Sequence, residues 1–154
     1  MGQKTVVIRP LERSDEAAWR RLWRAYLDFY ETEVDDAVYA SSFERLLGDD
    51  ARDFNGLVAE VDGELRGLTH YLFHRHGWKI ADVCYLQDLY VDPELRGTGL
   101  GRKLIEAVYA AADAHGAATV YWLTQEFNYA GRRLYDRIAQ KTPFVHYVSA
   151  RGAI

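Results

Sequence analysis

Residues 96–102 form the stretch of this sequence whose composition and spacing best suit a chemical role. This glycine-rich stretch follows a β-type run that ends at Val91 and leads into a helical pattern that begins at Leu100. Glycines let a backbone approach a ligand without Cβ collisions, and the free amides at a helix start favour negative charge. The stretch therefore predicts a cradle for an anion.

The glycine spacing separates three kinds of anion-binding turn. A P-loop needs Gly-Lys followed by Ser or Thr, whereas Gly101 is followed by an arginine and a lysine, which disfavours nucleoside-triphosphate hydrolysis. A dinucleotide fingerprint needs its third glycine one residue later and an acid at the end of the next strand, and residues 118–124 contain no acid. The pattern that fits is Arg96-x-x-Gly99-x-Gly101.

Hydrophobic spacing and turn residues predict the elements around this turn. Three consecutive β-type runs precede it, the first two joined by the tight-turn dipeptide Asp62-Gly63, and the helix after it stops at Gly116. Strands are predicted at 5–9, 56–61, 64–76, 79–91, 118–124 and 143–148, and helices at 14–30, 38–47, 100–115 and 129–140. The order β-α-α-β-β-β-α-β-α-β predicts one α/β unit without internal repeats.

Length and composition describe one ordinary folded domain. The chain has 154 residues, 49% apolar and 27% charged, so we expect a single domain over residues 1–154. No apolar run approaches the ~20 residues of a membrane helix, and residues 1–4 precede no secretory leader. We therefore expect a cytoplasmic protein with no membrane partner. The single cysteine, Cys84, closes no internal disulfide, and no metal site is predicted.

The charge is unevenly distributed along the chain. Twelve acids and two bases give residues 28–64 a net charge of −10, so the remainder carries +6 of the overall −4. The overall negative charge argues against a nucleic-acid partner. The acidic segment suits a cation and the basic remainder an anion, although solvated surface is the alternative interpretation of each.

The glycine turn and its surroundings resemble the GNAT superfamily of acetyl-CoA-dependent N-acetyltransferases. Arg96, Gly99 and Gly101 match the family's pyrophosphate-loop motif, R/Q-x-x-G-x-G/A, and residues 89–91 match its splayed fourth strand. Asn128, followed on the next helix by Leu134-Tyr135, is similar to a second family motif. The resemblance covers nearly the whole chain. It implies the GNAT fold, an α/β (α+β) unit whose single mixed, mostly antiparallel sheet is flanked by helices.

The resemblance also indicates a branch and an acceptor. Residues 85–91 and 141–144 are similar to the diamine/polyamine and histone-tail acetyltransferases, which implies direct attack on acetyl-CoA by a small cationic amine or a lysine of a basic peptide. Gln87 departs from that branch, which usually has glutamate there. An acetyltransferase for an amino-acid-like molecule or aminoglycoside, and a non-catalytic CoA-binding sensor, therefore stay open. A homodimer is expected, with the apolar strand 143–148 as one possible interface.

The resemblance assigns the acetyl-CoA contacts residue by residue. Backbone groups of Leu89 and Val91 would hold the pantetheine arm, and the amides of the turn would hold the pyrophosphate. Tyr135 would protonate the departing thiolate or donate a hydrogen bond to its sulfur. The implied coenzyme-binding residues are Leu89, Tyr90, Val91, Arg96, Gly97, Thr98, Gly99, Leu100, Gly101, Arg102 and Asn128.

The acceptor amine needs an acidic partner. An alkylammonium with pKa about 10.4 is neutral only ~0.04% of the time at pH 7, so a base must help to deprotonate it. Gln87 cannot act as that base, and Asp88 is the candidate for binding or deprotonating the amine, with Glu126 behind it. Gln87, Asp88, Asp35 and Asp36 are the predicted acceptor-binding residues, because the first two helices line the acceptor side in this family.

Three histidines at even spacing lie on one predicted strand. His70, His74 and His76 would share one face, which could serve as a metal or proton-relay arrangement. The favoured interpretation is an exposed polar face. Cys84 is expected to be a small core residue.

Overall fold

The computed structural model describes residues 4–152, so residues 1–3 and 153–154 of the predicted domain lie outside the described residues. The chain divides into two compact units, one ending at Leu123 and the other beginning at Thr124. The first unit holds the sheet and three helices, and the second holds one helix and the C-terminal segment.

The first unit is built on a five-stranded sheet in sequential order. Strands β1 to β4 pair antiparallel, and β5 runs parallel to β4, so the sheet is mixed and mostly antiparallel as predicted. Asp62 and Gly63 have φ of 52° and 87°, the positive values of the tight turn expected between β2 and β3. The strands are β1 (Val6–Pro10), β2 (Asn55–Val61), β3 (Glu64–His74), β4 (Val83–Val91) and β5 (Val120–Tyr121).

Four α-helices accompany the strands. The third spans the predicted residues, because its apolar positions recur at helical spacing and Gly116 ends it with a φ of 83°. Short 3₁₀ turns occur at Arg13–Asp15, Pro93–Leu95 and Ala150–Gly152. The helices are α1 (Glu16–Phe29), α2 (Asp36–Leu47), α3 (Leu100–His115) and α4 (Tyr129–Ile138).

The sheet of the first unit has an apolar cluster on each face. Val58 packs with Trp19 of α1 and Phe43 of α2, whereas the adjacent Ala59 packs with Leu104 of α3. Alternation along a strand sends neighbouring side chains to opposite faces, so α1 and α2 cover one face and α3 covers the other. This arrangement gives β4, the strand that precedes the glycine turn, a layer of helix on each side.

A β-bulge interrupts the pairing of β3 with β4. His70 lies opposite Asp88, but the next pair is Tyr71 with Leu86, which leaves Gln87 without a partner residue. An extra residue of this kind bends a strand and changes which side chains face each layer. The bulge therefore decides the orientation of the candidate site residues on β4.

The predicted closing strand at 143–148 is wrong. These residues form no ladder within the described chain, and Phe144, Val145 and Tyr147 are exposed. Alternating apolar residues favour a strand only where a neighbouring strand can pair with the backbone. The strand predicted at 118–124 is likewise reduced to Val120–Tyr121, because pairing with β4 covers only those two residues. The observed order is β-α-α-β-β-β-α-β-α.

Candidate active site

The glycine turn leads into the first turn of α3. Gly97 and Gly99 have φ of 81° and 87°, and a Cβ atom placed on either would meet no heavy atom within 4 Å. Glycine is therefore favoured there by backbone conformation, and the space beside the turn is open. Gly99 is the N-cap of α3 and has no side chain to occupy the free amides of the helix.

The amides of this turn are available to a ligand. The first amide of α3 with a backbone acceptor is that of Lys103, which donates to Gly99 O at 3.1 Å. Amides at the positive end of a helix dipole suit the diphosphate that the resemblance implies. In the glycine turn and the first turn of α3, five backbone N–H groups have no acceptor within residues 4–152: those of Gly97, Gly99, Leu100, Gly101 and Arg102.

Two exposed arginines flank the turn. The Arg96 guanidinium lies 5.8 Å from the centroid of the Phe29 ring. Arg102 Nε contacts Glu106 Oε1 at 2.7 Å, and both side chains are about half exposed. An exposed pair of this kind is worth only about 0–1 kcal/mol, so Arg102 can exchange Glu106 for a phosphate at little cost.

The edge of β4 nearest the turn is unpaired on one side. Leu89, Tyr90 and Val91 pair with β3 residues, whereas β5 pairs only with Cys84 and Tyr85. Beyond Tyr85, the backbone of β4 has no strand on its β5 side within the described residues. An open edge of N–H and C=O groups next to a row of free amides fits an extended amide-bearing arm that ends in a diphosphate, which is the chemistry of CoA.

Asp88 is the buried acid of the site. Its side chain is on the α1 side of β4, and the residue is only 8% exposed. Tyr26 Oη of α1 donates to Asp88 Oδ1 at 2.7 Å, and His70 Nδ1 of β3 lies 3.0 Å from Asp88 Oδ2. The backbone carbonyl of Asp88 accepts a further hydrogen bond from Thr69 Oγ1 at 2.8 Å. These contacts hold both the backbone and the carboxylate in place.

The role of Tyr26 in this contact is that of a donor. Burial, followed by the nearby Asp88 charge, raises the pKa of the Tyr26 phenol far above its usual range. The phenol therefore stays protonated at neutral pH and does not act as a base. Tyr26 belongs to the aromatic stripe of α1, whose sequence signal indicates only an apolar helix face, so its contact with Asp88 was not predicted.

The other predicted acceptor residues are exposed. Gln87 occupies the bulge and is exposed, in contrast to its buried neighbour Asp88. Asp35 is the N-cap residue of α2 and makes no side-chain cap bond, while Asp36 contacts Arg20 Nη1 at 2.6 Å. The charge of Asp36 is therefore partly neutralised by an arginine of α1.

The histidines of β3 do not form an exposed face. His70 is 4% exposed and contacts Asp88, whereas His74 Nε2 accepts from Tyr121 Oη at 2.7 Å. His76 lies beyond the end of the strand. The side chains of Trp19 and Trp23 of α1 cover the face of β3 that carries His70, so the predicted exposed face is wrong for His70. Cys84 is fully buried as expected, and burial raises the pKa of its thiol to about 11.

The second unit holds the two remaining predicted site residues. Asn128 Oδ1 accepts from Gly131 N at 3.3 Å, so Asn128 caps α4. Tyr135 lies on the same helix and is partly buried. The coenzyme contact of Asn128 and the catalytic role of Tyr135 stay predictions from the resemblance.

The fold and the open turn agree with what comparison with known proteins shows. Residues 17–139 match the Acetyltransferase (GNAT) family, and the chain belongs to this family. GNAT enzymes use acetyl-CoA, and the free amides and open β4 edge fit that donor. The protein is therefore an acyltransferase of the N-acetyltransferase type. No helix in the described part of the chain is long and apolar enough to cross a membrane.

Named relatives act on different amines. D-amino-acid N-acetyltransferase HPA3 of Saccharomyces cerevisiae is 37% identical over 148 residues, which cover 96% of this chain and 92% of that protein. Thialysine N-epsilon-acetyltransferase of Bos taurus is 30% identical over 144 residues, covering 86% and 82%.

Solved structures share the fold. Ribosomal-protein-alanine N-acetyltransferase from Brucella melitensis biovar Abortus 2308 has a TM-score of 0.74 at 25% identity, covering 94% of this chain and 98% of that one. Aminoglycoside N-acetyltransferase AAC(6')-Iy in complex with CoA has a TM-score of 0.82 at 21% identity, covering 98% of each chain. At that identity the second comparison supports the fold alone.

Proposed function

We propose that this protein transfers an acetyl group from acetyl-CoA to the primary amine of a small amino-acid-like molecule. The observation that carries the proposal is Asp88, a single buried carboxylate held by two donors on the strand whose edge is open. One such anion suits one ammonium group. The 37% identity to a D-amino-acid N-acetyltransferase over nearly the full chain supports the acceptor class.

Asp88 binds the incoming ammonium and accepts a proton as the amine attacks. An alkylammonium with a pKa of about 10.4 holds its proton too tightly for a carboxylate to remove it fully before attack, so the main work of Asp88 is to orient the amine. The ammonium first loses one proton to water, and the lone pair of the neutral amine then bonds to the thioester carbonyl carbon. The nitrogen of this adduct is strongly acidic, and Asp88 takes its second proton. The carbon–sulfur bond breaks, and the thiolate of CoA leaves.

Tyr135 is proposed to donate a hydrogen bond to the departing thiolate. The proposal rests on the Leu134-Tyr135 pair of the family motif on α4. A thiol with pKa about 8.5 is more acidic than a phenol at about 10, so full proton transfer from Tyr135 is uphill by ~2 kcal/mol. Hydrogen bonding to the sulfur is therefore its main contribution.

A polyamine or diamine acceptor is the second candidate, and the acidic segment favours it. Arginines pair with Asp36, Glu44, Asp50, Glu60 and Glu64 of residues 28–64. Four other acids of the segment lie close in sequence at the junction of α1 and α2 and make no ion pair within the described chain. They leave a local negative charge that suits a second ammonium group. The four acids are Asp28, Glu31, Glu33 and Asp35.

Thiol release from acetyl-CoA tests both candidates. The panel contains D- and L-amino acids, thialysine, diamines and polyamines, a histone-tail peptide and an aminoglycoside. We expect the highest kcat/KM with an amino acid or thialysine, and Asp88→Asn to lower it on the order of 100-fold or more. Asp113→Asn, the same change on the exposed surface of α3, is the matched control and keeps wild-type activity.

Three results would count against this proposal. Preference for polyamines over every amino acid would favour the second candidate. Binding of acetyl-CoA without thiol release for any amine would instead support a non-catalytic sensor. Full activity of Asp88→Asn would remove Asp88 from the mechanism.

A further inference from the structure

The His70 imidazole lies in an aromatic environment behind Asp88. Its ring centroid is 5.0 Å from that of Trp23 and 6.0 Å from that of Trp19, both on α1, and 6.3 Å from that of Phe54, which precedes β2. The residue is 4% exposed. An imidazole buried in this way keeps only the hydrogen bonds that the protein provides.

The partners of the imidazole determine where its proton lies. Trp19 Nε1 is 3.0 Å from His70 Nε2, and an indole nitrogen can only donate, so Nε2 must be unprotonated. The proton of a neutral imidazole is then on Nδ1, which donates to Asp88 Oδ2 at 3.0 Å. Trp19 thereby selects one tautomer of His70. Doubly protonated His70 would place an N–H against the Trp19 N–H.

Few titratable groups reach this imidazole. The His70 ring faces Asp88 of β4 and the indoles of Trp19 and Trp23 of α1. Tyr26, also of α1, contacts the other carboxylate oxygen of Asp88. Phe54, which precedes β2, and Gly56 of β2, which pairs with His70, add no titratable group. The Asp88 charge also raises the pKa of Tyr30 and Tyr85, after burial as the larger cause for each.

We propose that His70 is a positioning residue, locked by Trp19 as a neutral Nδ1–H donor so that Asp88 keeps its full negative charge for the acceptor ammonium. This inference rests on the proposed role of Asp88. A neutral donor fixes one carboxylate oxygen without cancelling the charge, whereas an imidazolium would form an ion pair with Asp88 and repel a cationic acceptor. Trp19 therefore acts on Asp88 through two successive hydrogen bonds.

NMR of the wild-type protein tests whether His70 is held as the neutral Nδ1–H tautomer, and this measurement does not depend on enzyme activity. Long-range ¹H–¹⁵N spectra distinguish the two neutral tautomers and the imidazolium, and the His70 signals are assigned by their loss in His70→Asn. We expect the neutral Nδ1–H form of His70 at the neutral pH of the activity assay. An Nε2–H tautomer or an imidazolium under the same conditions overturns the proposal.

Three variants test the consequence for the acceptor. Asn can replace the Nδ1–H donor, so His70→Asn should stay within about threefold of the wild-type kcat/KM. His70→Phe should lower kcat/KM for the acceptor on the order of 10- to 100-fold, the range for a hydrogen bond to a charged group, with an unchanged KM for acetyl-CoA. The control His74→Asn, on the same strand but bonded to Tyr121, should behave as wild type. Equal losses in His70→Asn and His70→Phe would indicate a structural role alone and overturn the proposal.

The pH profile separates positioning from packing. Trp19→Phe removes the donor to Nε2, so His70 becomes free to protonate. As the pH is lowered from 8 to 5, we expect the acceptor KM of Trp19→Phe to rise more steeply than that of the wild type, because a protonated His70 would neutralise Asp88. If a folded Trp19→Phe variant and the wild type have the same dependence of acceptor KM on pH, the proposal that Trp19 keeps His70 neutral is contradicted. If no amine releases thiol, the proposed function fails, while the NMR result still decides the tautomer.

Discussion

At the scale of the residue, Asp88 and Gln87 show how one position along a strand changes chemistry. Asp88 receives hydrogen bonds from side chains 18 and 62 residues away in sequence, whereas its neighbour Gln87 is exposed on the bulge. The sequence motif located this pair and ruled out Gln87 as a base. It did not indicate that Tyr26 or Trp19 takes part, and the histidine spacing predicted an exposed face for His70, because neither an aromatic stripe nor histidine spacing gives a signal of a shared polar contact.

Replacing Tyr135 by phenylalanine removes the phenol and keeps the ring. We expect kcat to fall about 10- to 100-fold, the cost of one hydrogen bond to a developing charge, with the Kd for CoA within twofold of wild type. Single-turnover kinetics and calorimetry measure the two quantities. Tyr129→Phe, on the exposed start of the same helix, is the control. Unchanged turnover at saturating substrates would remove Tyr135 from the mechanism.

At the scale of the element, the strongest local patterns were predicted best. Helix α3 has its predicted ends because apolar spacing, a glycine turn and Gly116 all point to the same boundaries. The strands β2 to β4 follow from alternation and the Asp62-Gly63 turn. The bulge in β4 and the missing strand at 143–148 were not predictable, because both depend on which strand is available to pair rather than on local preference.

Two glycines of α3 allow backbone strain to be separated from binding. Gly99 at the start and Gly116 at the end both have positive φ, 87° and 83°, and open space around a Cβ position. Alanine at either should destabilise the fold by about 1–2 kcal/mol, measured by urea unfolding. Only Gly99→Ala should also raise the KM for acetyl-CoA, because it disturbs the free amides. An equal effect of the two variants on that KM would contradict the anion cradle.

At the scale of the whole molecule, opposite charges are concentrated in different parts of the chain. Residues 28–64 carry −10 and the rest carries +6, but arginines outside the segment pair with several of its acids. The attraction available to a cationic acceptor is therefore smaller than the sequence charge indicates. Among the acids of the segment that make no ion pair within residues 4–152, those at the junction of α1 and α2 form the largest group close in sequence.

The double variant Asp35→Asn and Asp36→Asn removes one unpaired acid and one acid paired with Arg20, and it tests whether this part of the segment attracts cations. We expect the KM for a polycationic acceptor to rise several-fold more than the KM for an amine without further charge, and the difference to shrink at high salt because exposed charges are screened. Steady-state kinetics at two ionic strengths measure both effects. Asp49→Asn, a charge removal elsewhere in the acidic segment, is the control. Parallel changes for both acceptors would show that the acids do not select cations.

Acid stability depends on a carboxylate that joins β1 to the start of α1. Arg9 donates to both oxygens of Asp15 at 2.8 and 2.9 Å and lowers the pKa of Asp15. A lowered folded-state pKa adds stability above the unfolded value near 3.9, and this stability is lost as the pH falls through the folded value. Asp15→Asn should therefore cost about 2 kcal/mol at pH 7 and progressively less below pH 4, measured by urea unfolding. A constant difference across that range would rule out ionisation of Asp15 as the cause.

The open edge of β4 has a consequence for divergence within the family. Every amino acid has the same backbone peptide groups. Binding of the acetyl donor through the main chain of residues 89–91 should therefore tolerate replacement of the side chains at those positions. Asp88, the proposed amine-binding group, and the residues that hold its carboxylate, His70 and Tyr26, act through side chains, which a single codon change alters. The same scaffold can thus exchange one amine for another while its use of the thioester is inherited intact.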